Sequence, residues 1–203
     1  MFTAPGGRTL LAASLPARMA FGMISLAIYF KVQKATGSIA IAGLATGLNG
    51  LAGAITAGLR GAAIDRFGMR WPLRFLVPGY SIMMVVLSFA TERTALVLIA
   101  TLLGLSAPPI NLSVRPLWKI TVTKEKYRTA FALDTATMNA VGVVAPVLAT
   151  TIALSFSPAL ALQVCAFLMA SDGFLLLQTW QVRKWTPEKS DEKVPPLWRI
   201  RGI

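Results

Sequence analysis

Long apolar runs separated by short polar links dominate the hydrophobic pattern of the chain. A bilayer core about 30 Å thick requires roughly 20 apolar residues per helix, and six runs meet that requirement. They cover residues 10–30, 39–59, 71–90, 95–114, 131–156 and 159–178. None alternates apolar and polar residues like a barrel strand, so we expect every span to be a helix. The pattern predicts an all-α, polytopic membrane protein: a six-transmembrane-helix bundle over residues 1–180 and a polar tail over 181–203.

Composition supports a membrane protein and argues against a nucleic-acid partner. The chain is 55% hydrophobic and 14% charged, whereas soluble domains contain about 25% charged residues. Its 20 Lys and Arg against 8 Asp and Glu would indicate nucleic acid in a soluble protein. Here the basic residues follow the links between apolar runs and are not interleaved with aromatic residues. We therefore expect the lipid bilayer, and no nucleic acid, as a partner.

The basic residues also predict an orientation. Of the 20, 16 lie in the N-terminal segment, in the links 60–74 and 115–128, and in the tail from residue 180. The opposite links carry Lys31, Lys34 and Arg93. Because cytoplasmic links hold the excess of Lys and Arg, both termini are expected in the cytoplasm, with the protein in the cell membrane.

Two absences limit the chemistry. The chain has no histidine, which removes Ser-His catalysis and His-ligated metals, and it has one cysteine, Cys165, inside an apolar run. A single cysteine forms neither an intrachain disulfide nor a thiolate metal site. We expect no enzymatic activity, no metal and no cofactor.

The link between the second and third runs has a recognisable pattern. From Gly61 to Arg70 it reads G-A-A-I-D-R-F-G-M-R. It resembles the signature of the major facilitator superfamily: Gly, three residues, Asp-Arg, one residue, Gly, and then basic residues. The matching positions are Gly61, Asp65, Arg66, Gly68 and Arg70; Met69 departs from the basic residue often found there.

Further stretches extend the resemblance over nearly all of residues 10–180. They are S-A-P-P-I-N-L-S-V-R-P-L-W over 106–118, R-T-A-F-A-L-D over 128–134 and A-P-V-L-A over 145–149. The last has Ala-Pro where exporters of the family usually carry Gly-Pro. Family members usually have twelve spans in two halves, each a 3+3 inverted repeat, with the solute bound between the halves.

The resemblance implies the N-terminal six-helix half of a secondary transporter that moves a small solute by alternating access. The chain ends after one half, so we expect a truncated or split transporter. Its partners would be an unknown small solute and a second six-helix half or a second copy of itself. The alternative is a non-transporting six-helix scaffold or partner protein derived from a transporter half.

The signature is expected to act as a gating latch. Gly61 and Gly68 permit tight backbone turns, and Asp65 can face a helix N-terminus or neighbouring arginines. Such a link could hold one helix bundle against another in one conformation and release it in the other. The alternative interpretation is a solvated charged link that only obeys topology.

Ionisable residues within spans are costly and are functional candidates by default. Here they are Arg18, Asp134 and Asp172, with Arg115 near a span end. Arg18 and Asp172 each lie about two turns from the same side of the membrane, so we expect them to pair. By the same reasoning Arg115 is expected to pair with Asp134. Both pairs have two interpretations, as structural neutralisation within the bundle or as groups that couple transport.

Three amides lie near the middle of spans: Asn49, Asn111 and Asn139. Each could bind solute or donate a hydrogen bond to a neighbouring helix, and the second role is the commoner.

Small and aromatic residues have structural interpretations. The glycines of the second span predict a close-packing surface, and four tryptophans at predicted cytoplasmic edges predict interfacial anchors. The prolines within spans predict bends. The glycines are Gly43, Gly47, Gly50, Gly53 and Gly58, and the tryptophans are Trp71, Trp118, Trp180 and Trp185.

Overall fold

Helices account for nearly all of the described chain. The structure is a computed structural model that describes residues 7–110, 117–118 and 121–178. Its helices are α1 (Gly7–Thr36), α2 (Ile39–Phe67), α3 (Arg70–Phe89), α4 (Arg93–Ser106), a 3₁₀ turn (Lys124–Lys126), α5 (Tyr127–Ser155) and α6 (Pro158–Gln178). No strand occurs in these ranges. The prediction of an all-helical bundle is confirmed.

Membrane-length helices occur where the apolar runs predicted them. Within the described residues, five helices are long and apolar enough to cross a membrane, and α4 is a shorter apolar helix of 14 residues. The fourth span was predicted to reach residue 114, but α4 ends at Ser106. Residues 111–116 and the predicted tail over 181–203 lie outside the described residues.

Glycine and serine residues at the helix ends determine where α1 and α2 stop and start, which the hydrophobic pattern alone did not predict. Gly37, with φ 68°, follows the end of α1, and Ser38 caps α2 by accepting a hydrogen bond from the Ile41 amide at 3.3 Å. Gly68, with φ 78°, ends α2 and donates its amide hydrogen to the Ile64 carbonyl at 2.8 Å. Glycine adopts these positive φ angles without strain, so the turn predicted at Gly68 is confirmed.

The bundle packs around α1. This helix contacts α2, α5 and α6, while α2 also packs on α4 and α3 on α4 and α6. In the most apolar 18-residue stretch of α1, 50% of the residues are buried inside the bundle, against 22% in the corresponding stretches of α2 and α5. Therefore α1 is the central helix, and α2 and α5 present most of their surface outside the bundle.

Three glycines allow helices to approach closely. A Cβ on Gly22 of α1 would lie 2.6 Å from the Ala145 side chain of α5, and one on Gly173 of α6 would lie 2.5 Å from the Val77 side chain of α3. A Cβ on Gly104 of α4 would overlap the Asn49 carbonyl of α2. Side chains at these three positions would force the helices apart.

The glycines of α2 behave differently from the prediction. Of the five, Gly53 approaches a neighbour, with its Cβ position 3.5 Å from the Gly104 carbonyl oxygen. A Cβ on the other four would meet nothing within 4 Å in the described structure, because they lie on the side of α2 that is turned away from α4. The predicted close-packing surface is therefore wrong for these four within the bundle. They are Gly43, Gly47, Gly50 and Gly58.

The helix α4 ends at Ser106, just before Pro108 and Pro109, where the sequence predicted only a bend. By contrast, α1, α3 and α5 continue through their single prolines. Side chains of α2 hold the broken end. The Arg60 guanidinium donates to the carbonyls of Ala107 and Gly53, and the Thr56 hydroxyl donates to the Leu105 carbonyl at 3.2 Å. Residues of α2 thus supply hydrogen-bond donors to the Leu105 and Ala107 carbonyls at the end of α4 and just beyond it.

Candidate functional site in the transmembrane bundle

A buried ion pair joins α1 to α5. Arg18 is 4% exposed and Asp134 is 1% exposed, and Nη2 of Arg18 lies 2.5 Å from Oδ1 of Asp134. Nη1 of the same guanidinium is 3.5 Å from the Asp134 carbonyl oxygen. Charged groups this deeply buried in a membrane bundle require pairing. Arg18 and Asp134 meet that requirement for each other.

This pairing corrects the one expected for Arg18. Equal depth in the membrane suggested Asp172, and Asp172 does reach the same turn of α1: its Oδ1 accepts a hydrogen bond from the Ala17 amide at 3.4 Å. The guanidinium of the next residue, however, is directed to α5. Sequence position gave the depth of each group along its helix but not the side of the helix it occupies. The other expected partner of Asp134, Arg115, lies outside the described residues.

Trp118 completes the cluster and was missed as a site residue. It was expected at the membrane interface, but it is 2% exposed, and its indole Nε1 donates to Oδ1 of Asp134 at 3.3 Å. A buried indole N–H usually finds an acceptor, and Asp134, 16 residues further along, is the acceptor in this fold. The signal was its place in the 106–118 stretch that extends the family resemblance, whereas the residue itself was interpreted only as an interfacial anchor.

The cluster contains buried polar atoms without hydrogen-bond partners. Beside the Arg18–Asp134 pair, Asp172 is a second buried carboxyl group and is 0% exposed. Among the described residues, Nε of Arg18 and Oδ2 of both Asp134 and Asp172 have no hydrogen-bond partner. No group of three or more metal-ligating side chains is present in the described part of the chain. Because buried polar atoms normally have hydrogen-bond partners, these three atoms make the cluster a candidate functional site.

The signature residues lie mainly on a helix and not in a loop. Because α2 extends to Phe67, Gly61, Asp65 and Arg66 occupy its last two turns, and the link to α3 consists of Gly68 and Met69. The turn predicted at Gly61 is therefore wrong. Residues 60–67 include two alanines and two arginines, which favour helix, so α2 continues beyond its apolar run. We call this end of the bundle, where α2 meets α3, the signature end.

Asp65 is exposed at the signature end, together with Arg66 and Arg70. Arg18–Asp134 is the one ion pair among the described residues, so Asp65 forms no ion pair with any of them. The guanidinium of Arg66 instead lies 5.3 Å from the ring centroid of Phe67. The Asp65 carboxylate is thus presented outward from the bundle.

Comparison with protein families gives a match over almost the whole chain. The model of the Major Facilitator Superfamily matches residues 10–201. The chain belongs to the major facilitator superfamily. Searches of curated proteins and of solved structures found no significant match. The chain is thus a multi-pass membrane protein of a transporter family, and its half-size helical bundle fits an N-terminal half.

The three asparagines predicted near the middle of spans have different environments. Asn49 is 8% exposed, and its Nδ2 donates to the Ala100 carbonyl of α4 at 2.8 Å. This is the helix–helix role expected as the commoner one. Asn139, by contrast, is exposed on α5, and Asn111 lies outside the described residues.

Proposed function

We propose that the protein is a secondary transporter of a small solute, in which this chain supplies the N-terminal six-helix half. It resides in the plasma membrane with both termini in the cytoplasm, in accordance with the distribution of its basic residues. Membership of the family supports transport. The observation that carries the proposal is the exposed amide of Asn139 on α5.

Asn139 lies near the middle of a 29-residue helix of membrane length. Lipid provides no hydrogen-bond partners, and an unsatisfied amide in hydrocarbon costs several kcal/mol. Polar groups at this depth are stable where they face protein or line a water-filled cavity. The same helix holds Asp134 buried against α1. The outward surface of α5 therefore suits a solute pathway better than lipid.

A second six-helix unit would complete that pathway. Only 22% of the residues in the most apolar stretches of α2 and α5 are buried inside the bundle. In addition, α2 presents four glycines without close neighbours in the described structure. Small residues on a membrane helix permit close approach of another helix. We propose that a second half covers α2 and α5 and encloses the solute between the two units. A second copy of this chain is the alternative occupant.

Thiol labelling tests whether α5 lines water or lipid without knowledge of the solute. Cys165 is buried, so Cys165→Ala provides a background in which a single new cysteine reports its own environment. In membrane vesicles, Asn139→Cys should react with a water-soluble maleimide, because a cavity-lining thiol is hydrated and can ionise.

The matched control is Phe167→Cys on α6, where the side chain is 71% exposed beside other apolar residues. We expect it to remain unlabelled because it faces lipid. If Asn139→Cys is also unlabelled and forms no crosslink to another chain, α5 faces lipid and the scaffold function replaces transport. A disulfide between two copies through Asn139→Cys would identify the second copy as the partner.

A further inference from the structure

A cavity of about 280 Å³ lies at the end of the bundle opposite the signature end. The last turns of α1, the α3–α4 link and the beginning of α6 enclose it. Its polar lining consists of Lys31, Lys34, Thr91 and Ser157. Sites for drug-sized ligands typically measure about 300–1,000 Å³, so this cavity suits a group smaller than most such ligands.

Two lysines give the cavity its positive charge, and one of them is held in place. The Lys31 ammonium donates to the Ser88 carbonyl near the end of α3 at 2.7 Å. An ammonium has three N–H donors, so Lys31 keeps two for a ligand. Lys34 lies one turn further along the same helix face, where like charges repel each other. An anion between the two ammonium groups would relieve that repulsion.

Among the described residues, none that lines the cavity is acidic. The acid nearest in sequence, Glu92, instead caps α4 by accepting hydrogen bonds from the amides of Ala95 at 2.7 Å and Thr94 at 3.1 Å. These hydrogen bonds, from Ala95 first and then Thr94, lower the pKa of the Glu92 carboxyl. The carboxylate is thus bound to the α4 terminus and does not neutralise the lysines through hydrogen bonding.

The N-terminus of α6 adds to the same positive potential. Ser157 and Pro158 line the cavity, and the Leu160 amide donates to the Ser157 hydroxyl at 3.1 Å. A helix N-terminus carries partial positive charge that attracts anions. The position of the lysines is also unusual: the links opposite the signature side carry three basic residues, and two of them line this one cavity.

We propose that the cavity binds a phosphate-type oxyanion, supplied by a phospholipid headgroup or by free phosphate. Two ammonium groups, two hydroxyls and a helix N-terminus match a compact polyanionic group. Basic pockets between membrane helices bind anionic headgroups through the same chemistry. The cavity lies at the end of the bundle, where lipid headgroups and aqueous anions are both within reach.

Binding is tested with the full chain purified in neutral detergent. One arm measures retention of phosphatidylglycerol against phosphatidylcholine by native mass spectrometry, and the other measures inorganic phosphate binding by calorimetry. Lys34→Gln should weaken binding about fivefold, since a lysine near an anionic lipid contributes about 1 kcal/mol. Lys34 is exposed, and it does not make the hydrogen bond to the Ser88 carbonyl that Lys31 makes. The Lys34→Gln variant is therefore expected to fold.

Arg93→Gln is the matched control, because Arg93 is an exposed basic residue at the same end of the bundle outside the cavity lining. Selective retention of phosphatidylglycerol identifies the lipid headgroup as the ligand, and binding of inorganic phosphate identifies the free anion. The proposal is overturned if neither probe binds, if Lys34→Gln binds as tightly as the unaltered chain, or if Arg93→Gln weakens binding equally.

Discussion

At the scale of single residues, the Arg18–Asp134 pair predicts an unusual mutational pattern. Removing one member of a buried ion pair leaves the other charge without compensation and typically costs about 3–5 kcal/mol, whereas replacing both with apolar residues is often nearly neutral. We therefore expect Arg18→Leu and Asp134→Leu each to lower the thermal unfolding midpoint in detergent. The double variant should lie closer to the unaltered protein than either single variant.

Exposed Arg66 provides the control, since Arg66→Leu removes a guanidinium that has no partner carboxylate among the described residues. A double variant as unstable as the sum of the two single variants would contradict the pairing. The variants should be compared in one detergent, because binding of lipid or detergent changes the apparent stability.

The residues of this cluster were only partly predictable. Hydropathy located Arg18, Asp134 and Asp172 within spans, and counting residues gave their depth to within a turn. It did not give the rotation of each helix about its axis, which decides whether Arg18 meets Asp134 or Asp172. Trp118 was missed because an aromatic residue at the edge of an apolar run fits an interface and a core equally well.

At the scale of helices, Arg60 is expected to stabilise the broken end of α4. Its guanidinium donates to carbonyls of both α2 and the break. Hydrogen bonds from charged donors contribute about 1.5–3 kcal/mol, so Arg60→Leu should accelerate amide hydrogen exchange in α4 by at least about tenfold. Exchange would be followed by mass spectrometry on peptides from α4.

Arg74→Leu is the control for Arg60, because Arg74 is an exposed arginine near the signature end that forms no ion pair with another described residue. Equal exchange in the Arg60→Leu and Arg74→Leu proteins would show that α4 keeps its structure without the Arg60 contacts. Faster exchange throughout the bundle would indicate global unfolding and contradict a local role.

Helix positions were predictable from apolar runs, but helix ends were not. The second run ends at residue 59, whereas α2 continues to Phe67 because its next residues favour helix and Gly68 provides the stop. An apolar run marks the part of a helix that contacts lipid, and a capping residue marks where the helix ends. The shift moved Gly61 and Asp65 from a loop to a helix surface.

At the scale of the whole molecule, the surfaces of the bundle have different expected neighbours. The α6 surface at Phe167 is apolar and suits lipid, whereas α5 presents Asn139. The signature end presents Asp65, Arg66 and Arg70, all exposed. An exposed carboxylate beside the last turn of α2 faces the negative end of its own helix dipole, which is unfavourable. A positive partner outside the described bundle would offset that cost.

The gating latch is therefore expected to act between units, not within this one. Asp65→Asn keeps the size of the side chain and removes its charge, so it should weaken the contact in the conformation that the latch stabilises and alter the rate of solute exchange. A loss of about 1–3 kcal/mol of such coupling corresponds to about a 5- to 150-fold shift between the two conformations.

The measurement is solute flux in vesicles that contain the complete transporter, together with the labelling rate of Asn139→Cys. Glu92→Gln, at the opposite end, is the charge-matched control. Flux and labelling that are unchanged in Asp65→Asn would leave Asp65 as a solvated residue of the α2 end, and the latch would have to be abandoned.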